Sequence, residues 1–299
     1  MVPTPVPDPR PVDDWRPLRS VLFMPADNAR AVAKARTLAC DAIVLDLEDA
    51  VAPVRKAAAR ATALAELAAG GFGRRTLVIR ANGADTAAFA DDIAAFAAAP
   101  LDALLVPKVE SADDVARISA AMDAAGYPAR VELWAMIETP RVVLALAAIA
   151  ATAGATRLAT LVLGLNDLAK ASGIAQAPGR AAFVPVMVQA VMAARAYGLA
   201  VLDAVCNDFA DPARIEAEAA QARDLGFDGK SLIHPAQVEP ANRLFAPDPA
   251  ALDEARAIVA AFADPGAREK GAVQLDGRMI ELLHLAQAER LLDRWDGRG

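Results

Sequence analysis

The sequence predicts an α/β protein, a (β/α)₈ barrel of TIM type with a C-terminal helical appendage. Eight short runs rich in Val, Leu and Ile recur along the chain, separated by Ala-rich segments whose apolar residues fall at helical spacing. From the first run to the last there are seven steps of about thirty residues, the length of one strand plus its crossover helix. Alternating strands and helices imply a parallel sheet, and eight such units most simply close on themselves. The alternative is an open doubly wound sheet, which calls for a glycine-rich phosphate fingerprint after the first strand. None occurs there.

Residues 1–17 carry Pro3, Pro5, Pro7, Pro9, Pro11 and Pro17, a spacing that forbids a helix and favours an extended leader. The barrel occupies 18–246. Its strands are SVLFMP (20–25), AIVLDLED (42–49), TLVIRANG (76–83), ALLVPKVE (103–110), VELWAMIE (131–138), TLVLGLND (160–167), AVLDAVCND (200–208) and GKSLIHP (229–235). Helix signals agree with this partition. Ser111 and Asp114 form a capping box, while Asp211, Pro212 and Gly226 supply an N-cap, a first-turn proline and a C-terminal glycine. In 247–299 the pattern changes to a helix over 250–263, a Gly-containing charged loop and a last helix from about 276 to 295. This appendage exceeds what eight units need and reads as a lid or an oligomer contact.

Charge and composition exclude several classes. A net charge of −7 argues against nucleic acid or an anionic membrane as partner, so any anionic ligand must meet a local basic patch. With only two Cys (Cys40, Cys206) and two His (His234, His284), neither a Cys/His zinc cluster nor a disulfide framework is expected to organise the chain. Cys40 and Cys206 read as small buried hydrophobes. The uncharged run 142–156 is too short and too weakly apolar to span a bilayer. Few cysteines and no basic-then-apolar N-terminus point to a cytoplasmic protein.

Barrel chemistry lives at the C-terminal ends of the strands, where this sequence concentrates ionisable groups. They are Asp46, Glu48, Asp49, Arg80, Lys108, Glu110, Glu138, Asp167, Asp203 and Asp208, with His234 after the eighth strand. For each acid the competing explanation is a helix cap, and Asp49 fits that best. Glu138 and Asp167 end neighbouring strands. Two such carboxylates repel unless a proton or cation lies between them, and hard oxygen donors with open positions suit Mg²⁺. Arg80 has the planar fork to grip a substrate carboxylate or carbonyl, or else pairs with the nearby acids. Lys108 and Glu110 are expected to pair with each other, and His234 reads as structural or as a binding group.

Several of these runs fall in motifs: RSVLFMP (19–25), LDLEDAV (45–51), VIRAN (78–82), VPKVE (106–110), MIET (136–139), GLND (164–167), GKSLIHP (229–235) and LDGRMIE (275–281). In this order they resemble the citrate lyase β-subunit-like family, which includes malyl-CoA and citramalyl-CoA lyases within the HpcH/HpaI aldolase superfamily. The resemblance implies a barrel assembling as trimers or hexamers, with Mg²⁺ on Glu138 and Asp167 and with Glu48 and Asp49 reaching the metal's waters. Arg80 matches the substrate-binding arginine. Phe23, Arg30, Lys34, Ile233 and His234 match the coenzyme A contacts. Arg30 and Lys34, four apart on one helical face, supply the basic patch an acidic chain needs. The family's acid/base aspartate, donated by an adjacent subunit, is replaced here by Glu281, one methylene longer, with Asp276 as the alternative carrier.

The expected activity is Mg²⁺-dependent cleavage or condensation of a 3-hydroxyacyl-CoA, giving an acyl-CoA and a 2-oxo acid such as glyoxylate, pyruvate or oxaloacetate. Arg80 would stabilise the enolate and Glu281 would move the proton at carbon. The alternatives are a citrate lyase β subunit taking its thioester from an acyl carrier protein, a pyruvate-type aldolase, a thioester hydrolase and a non-catalytic oxo-acid-binding barrel.

Overall fold

A computed structural model describes residues 16–295, so the leader expected at 1–17 lies almost wholly outside the described residues. The chain forms two compact units, one built on Leu18–Phe245 and the other on the chain from Ala246 onward.

The first unit is the closed barrel that the periodicity predicts. Its strands β1 (Ser20–Pro25), β2 (Ala42–Asp46), β3 (Thr76–Arg80), β4 (Ala103–Val106), β5 (Glu132–Ile137), β6 (Leu158–Leu163), β7 (Ala200–Asp203) and β8 (Gly229–Leu232) pair in sequence order. All pairs are parallel, and β1 closes on β8 through Ser20↔Lys230 and Leu22↔Leu232. Side chains alternate across each strand and so sort into two cores. Val21, Val44, Val78, Leu105, Trp134, Val162 and Leu202 pack in a cluster that takes nothing from the helices. The intervening positions, such as Leu22, Ile43, Ile79 and Leu104, join the helices in the larger core.

Helices α1 (Ala29–Ala35), α2 (Lys56–Ala69), α3 (Ala87–Phe96), α4 (Ala112–Ala124) and α5 (Pro140–Ala150) follow the first five strands. After β6 come α6 (Leu165–Ser172) and α7 (Val184–Ala196), then α8 (Pro212–Leu225) and α9 (Val238–Phe245). The caps form where expected. Ser111 accepts the Asp114 N–H at 3.1 Å, and Asp211 accepts those of Ala213 and Arg214. Gly226, at φ 97°, closes α8 in the left-handed region favoured by glycine. Except for β1, the strands are shorter than the sequence runs. Their polar tails are loops, and GLND opens α6 instead of ending β6.

The second unit departs from the two-helix expectation. After α10 (Pro249–Ala261) and the short α11 (Pro265–Lys270), a hairpin of β9 (Ala272–Leu275) and β10 (Arg278–Glu281) precedes α12 (Leu282–Trp295). Asp276 and Gly277 make its two-residue turn with φ of 50° and 77°, the Asp-Gly pairing that favours a tight hairpin over a helix start. Ile258, Phe262, Ile280 and Leu285 anchor this unit's own core. Among the described residues no helix is long and apolar enough to cross a membrane.

Barrel closure leaves no room at Gly229, where an added Cβ would stand 1.7 Å from the Leu18 carbonyl oxygen. Gly229→Ala should cost about 2 kcal/mol or more of stability. Urea unfolding checks this, and an unchanged midpoint would contradict the closure geometry.

Candidate active site

The strand ends enclose a cavity of about 410 Å³, lined in part by Phe23, Asp46, Asp49, Arg80, Asp167 and Ile233. Arg80, on the last position of β3, is its most heavily paired group. Its Nε and Nη2 donate to the two oxygens of Asp46 at 2.7 and 2.5 Å. Nη1 stands 3.1 Å from Glu48 Oε2 and 3.7 Å from Asp49 Oδ2. Asp46 is held from behind by the N–H groups of Glu48 and Ala50. Burial opposes charge on Arg80, but its bonds to Asp46 and the attraction of Asp46, Glu48 and Asp49 prevail and hold its pKa above the ordinary value. Arg80 is therefore paired with the nearby acids and also lines the cavity.

Glu138 follows β5 and is 1% exposed. One oxygen, Oε1, accepts the Lys108 backbone N–H at 2.8 Å, whereas Oε2 has no hydrogen-bond partner. Burial pushes this carboxyl up to about 7, with the neighbouring charges of Glu48 and Asp167 adding to the rise and the Lys108 N–H and Arg80 opposing it. Gly164 makes the space, because a Cβ there would come within 2.6 Å of Glu138 Cβ and 2.9 Å of Oε2. Asp167, in the first turn of α6, lines the cavity.

An orphaned buried carboxylate oxygen is costly unless a proton or cation meets it. Among the described residues no group of three or more His, Cys, Asp or Glu converges as a metal cage. The donor set thus fits an ion that takes one or two carboxylates and completes its shell with water or substrate, as Mg²⁺ does. It does not fit Zn²⁺, which wants three or four protein ligands rich in N and S.

Several expectations need correction. Asp49 is not a helix cap; it faces the cavity beside Arg80, and α2 opens seven positions later at Lys56. Lys108 and Glu110 do not pair. Lys108 Nζ donates to Glu48 Oε1 at 2.7 Å, and Glu110 stands 3.4 Å from Arg141, because Lys108 adopts a left-handed backbone (φ 55°) that strand alternation does not anticipate. Asp203 is not at the mouth. The residue before it, Leu202, faces the barrel interior, so Asp203 points to the helix layer and is buried against Arg180 and Lys230.

The other expected residues are more scattered. Phe23 lies under Arg80, its ring centroid 5.6 Å from the guanidinium carbon. Ile233 lines the cavity and is 41% exposed. Arg30 and Lys34 are exposed on α1 and do not line it. His234 caps the turn after β8, accepting the Ala236 N–H on Nδ1 at 3.2 Å, and its ring stacks on Phe209 at 4.9 Å. Asp276 and Glu281 are exposed on the second unit, with the Glu281 N–H donating to His284 Nδ1 at 3.0 Å. Both cysteines are free and buried. Sequence reasoning missed Gly164 as the residue that makes room for Glu138, and it missed the roles of Asp46 and Lys108 as clamps.

Residues 19–235 match the family described as HpcH/HpaI aldolase/citrate lyase. The chain belongs to this family. A (3S)-malyl-CoA thioesterase of Cereibacter sphaeroides is 43% identical over 276 residues, covering 92% of this chain and 94% of that protein. An L-malyl-CoA/beta-methylmalyl-CoA lyase of the same organism is 32% identical, covering 94% and 95%. Among solved structures, the protein CitE from Mycobacterium tuberculosis, in complex with magnesium, acetoacetate and coenzyme A, superposes with a TM-score of 0.72 at 31% identity. It covers 93% of this chain and 97% of its own. This HpcH/HpaI barrel is thus an enzyme-family member whose relatives act on CoA thioesters, as lyases and as thioesterases.

The raised pKa of Glu138 has a consequence for stability. An unfolded glutamate loses its proton near the ordinary 4.5, while in the fold it keeps it to about 7. Between those values the folded state binds more protons, so without metal, stability falls as pH rises through the window, by up to about 3 kcal/mol. Urea midpoints at pH 5 and pH 8 in chelator should show this loss in the wild type and much less in Glu138→Gln. Equal slopes in the two proteins would show that Glu138 is not the group responsible.

Proposed function

We propose that this protein is a Mg²⁺-dependent enzyme acting on a 3-hydroxyacyl-CoA of the malyl-CoA type, and that its net reaction is hydrolysis of the thioester. The observation carrying the site is the orphaned Oε2 of Glu138 close to Asp167 and Arg80 at one end of the barrel. The choice of reaction is supported by the 43% identity to a thioesterase, against 32% to a lyase over a similar span.

In this reading Glu138 and Asp167 hold the metal, which when bound supplies Lewis-acid polarisation of a substrate oxygen. Arg80 keeps its charge and its orientation because Asp46 fixes two of its nitrogens, and Nη1, which also stands beside Glu48 and Asp49, is proposed to meet a substrate carboxylate or the developing oxyanion. Apolar walls at Phe23, Met136 and Leu163 exclude water from the acyl chain. In hydrolysis a water oxygen adds to the thioester carbonyl, the carbon–sulfur bond breaks and the departing thiolate takes up a proton. Arg30, Lys34, Ile233 and His234 are proposed to meet the CoA moiety, with Glu48 and Asp49 supporting the metal site. Glu281, or Asp276 in its place, is proposed as the acid/base group, contributed by a neighbouring copy in a homotrimer or hexamer.

Carbon–carbon cleavage is the second reading, favoured by the lyase relative. There the hydroxyl loses its proton, the adjacent carbon–carbon bond breaks and an acyl-CoA enolate is protonated at carbon. One assay separates the two. Malyl-CoA with Mg²⁺ should release free thiol and malate in equal amounts; release of glyoxylate and acetyl-CoA without free thiol would establish the lyase instead. Glu138→Gln and Asp167→Asn should each lower kcat/KM by about a hundred-fold or more, and weaken Mg²⁺ binding measured by calorimetry. Full activity in chelator would overturn the metal assignment.

A further inference from the structure

Lys108 is the residue through which both halves of the candidate site are tied together. It follows β4 and is among the few non-glycine residues with a left-handed backbone, at φ 55°. That conformation costs about 1 kcal/mol or more for a side chain with a Cβ, and glycine would adopt it freely. Two bonds hold it in place, and one of them uses the lysine side chain. Its backbone N–H donates to Glu138 Oε1 at 2.8 Å, and its Nζ donates to Glu48 Oε1 at 2.7 Å. The other oxygen of Glu48 stands 3.1 Å from Arg80 Nη1. One residue therefore holds Glu138 by its main chain and Glu48, beside Arg80, by its ammonium.

We propose that Lys108 is a positioning residue whose ammonium sets the substrate-binding strength of Arg80 by neutralising Glu48, while its backbone N–H orients Glu138 independently of the side chain. The two functions separate because only one of them needs the side chain. Without the ammonium, Glu48 is a buried carboxylate paired to Arg80 alone, which draws Nη1 away from the cavity and sets an uncompensated negative charge beside an anionic substrate. Glu138 keeps its hydrogen bond in any variant that preserves the backbone.

The proposal rests on Arg80 meeting substrate and Glu138 meeting metal, so Mg²⁺ binding to the metal-free protein is measured first by calorimetry. Lys108→Met should bind Mg²⁺ within about two-fold of the wild type and raise the KM for malyl-CoA about ten-fold, with a smaller change in kcat. Lys108→Arg should recover most of that KM. Lys108→Gly should share the KM defect of the Met variant while unfolding at the same or higher urea concentration, since the strained φ is relieved. A wild-type KM in Lys108→Met, or a Mg²⁺ affinity lost with the side chain, would overturn the division of roles. A wild type that binds no Mg²⁺ would instead overturn the underlying metal assignment.

Discussion

Carboxylates crowded at one end of a barrel repel each other, and the arrangement survives only if cations are built in among them. Asp46, Glu48, Asp49, Glu138 and Asp167 gather at the strand ends, and the cations holding them are Arg80 and Lys108. Arg80 neutralises the β2 side and Lys108 bridges from β4. Negative charge remains in excess around Glu138, which takes the form of a carboxyl held near neutrality and an oxygen without a partner. A proton or a cation would offset that excess.

The barrel delivers this cluster through simple geometry. Alternate strand residues fill the interior, and the positions beyond two of these rows carry candidate site residues, as Val78 leads to Arg80 and Met136 to Glu138. Gly164 leaves room for Glu138 against the start of α6, whose Asp167 lines the cavity. Site and scaffold are therefore the same rows of residues, and a change in strand register would lose both together.

A site of this kind is not committed to one bond. Polarising an oxygen next to a thioester serves cleavage of the neighbouring carbon–carbon bond and attack of water on the carbonyl, and the family holds relatives named for each. What differs between those outcomes is where a water stands and where a proton goes. Both depend on which groups surround the thioester carbonyl and the neighbouring carbon.

The sequence by itself determined the barrel, the Ser111 and Asp211 caps and the concentration of carboxylates toward the strand ends, because each is written in a short-range pattern of period, cap or spacing. It also carried the Asp-Gly turn of the second unit, which helical spacing in the flanking residues masked. Tertiary structure alone decided the partners. That Asp203 turns outward to Arg180 and Lys230, that Asp49 turns in to Arg80 and that Lys108 reaches Glu48 instead of Glu110 are contacts between elements far apart in the chain. Charge in a sequence has no direction. It acquires one only when strand alternation and a residue such as left-handed Lys108 fix which neighbour each side chain meets.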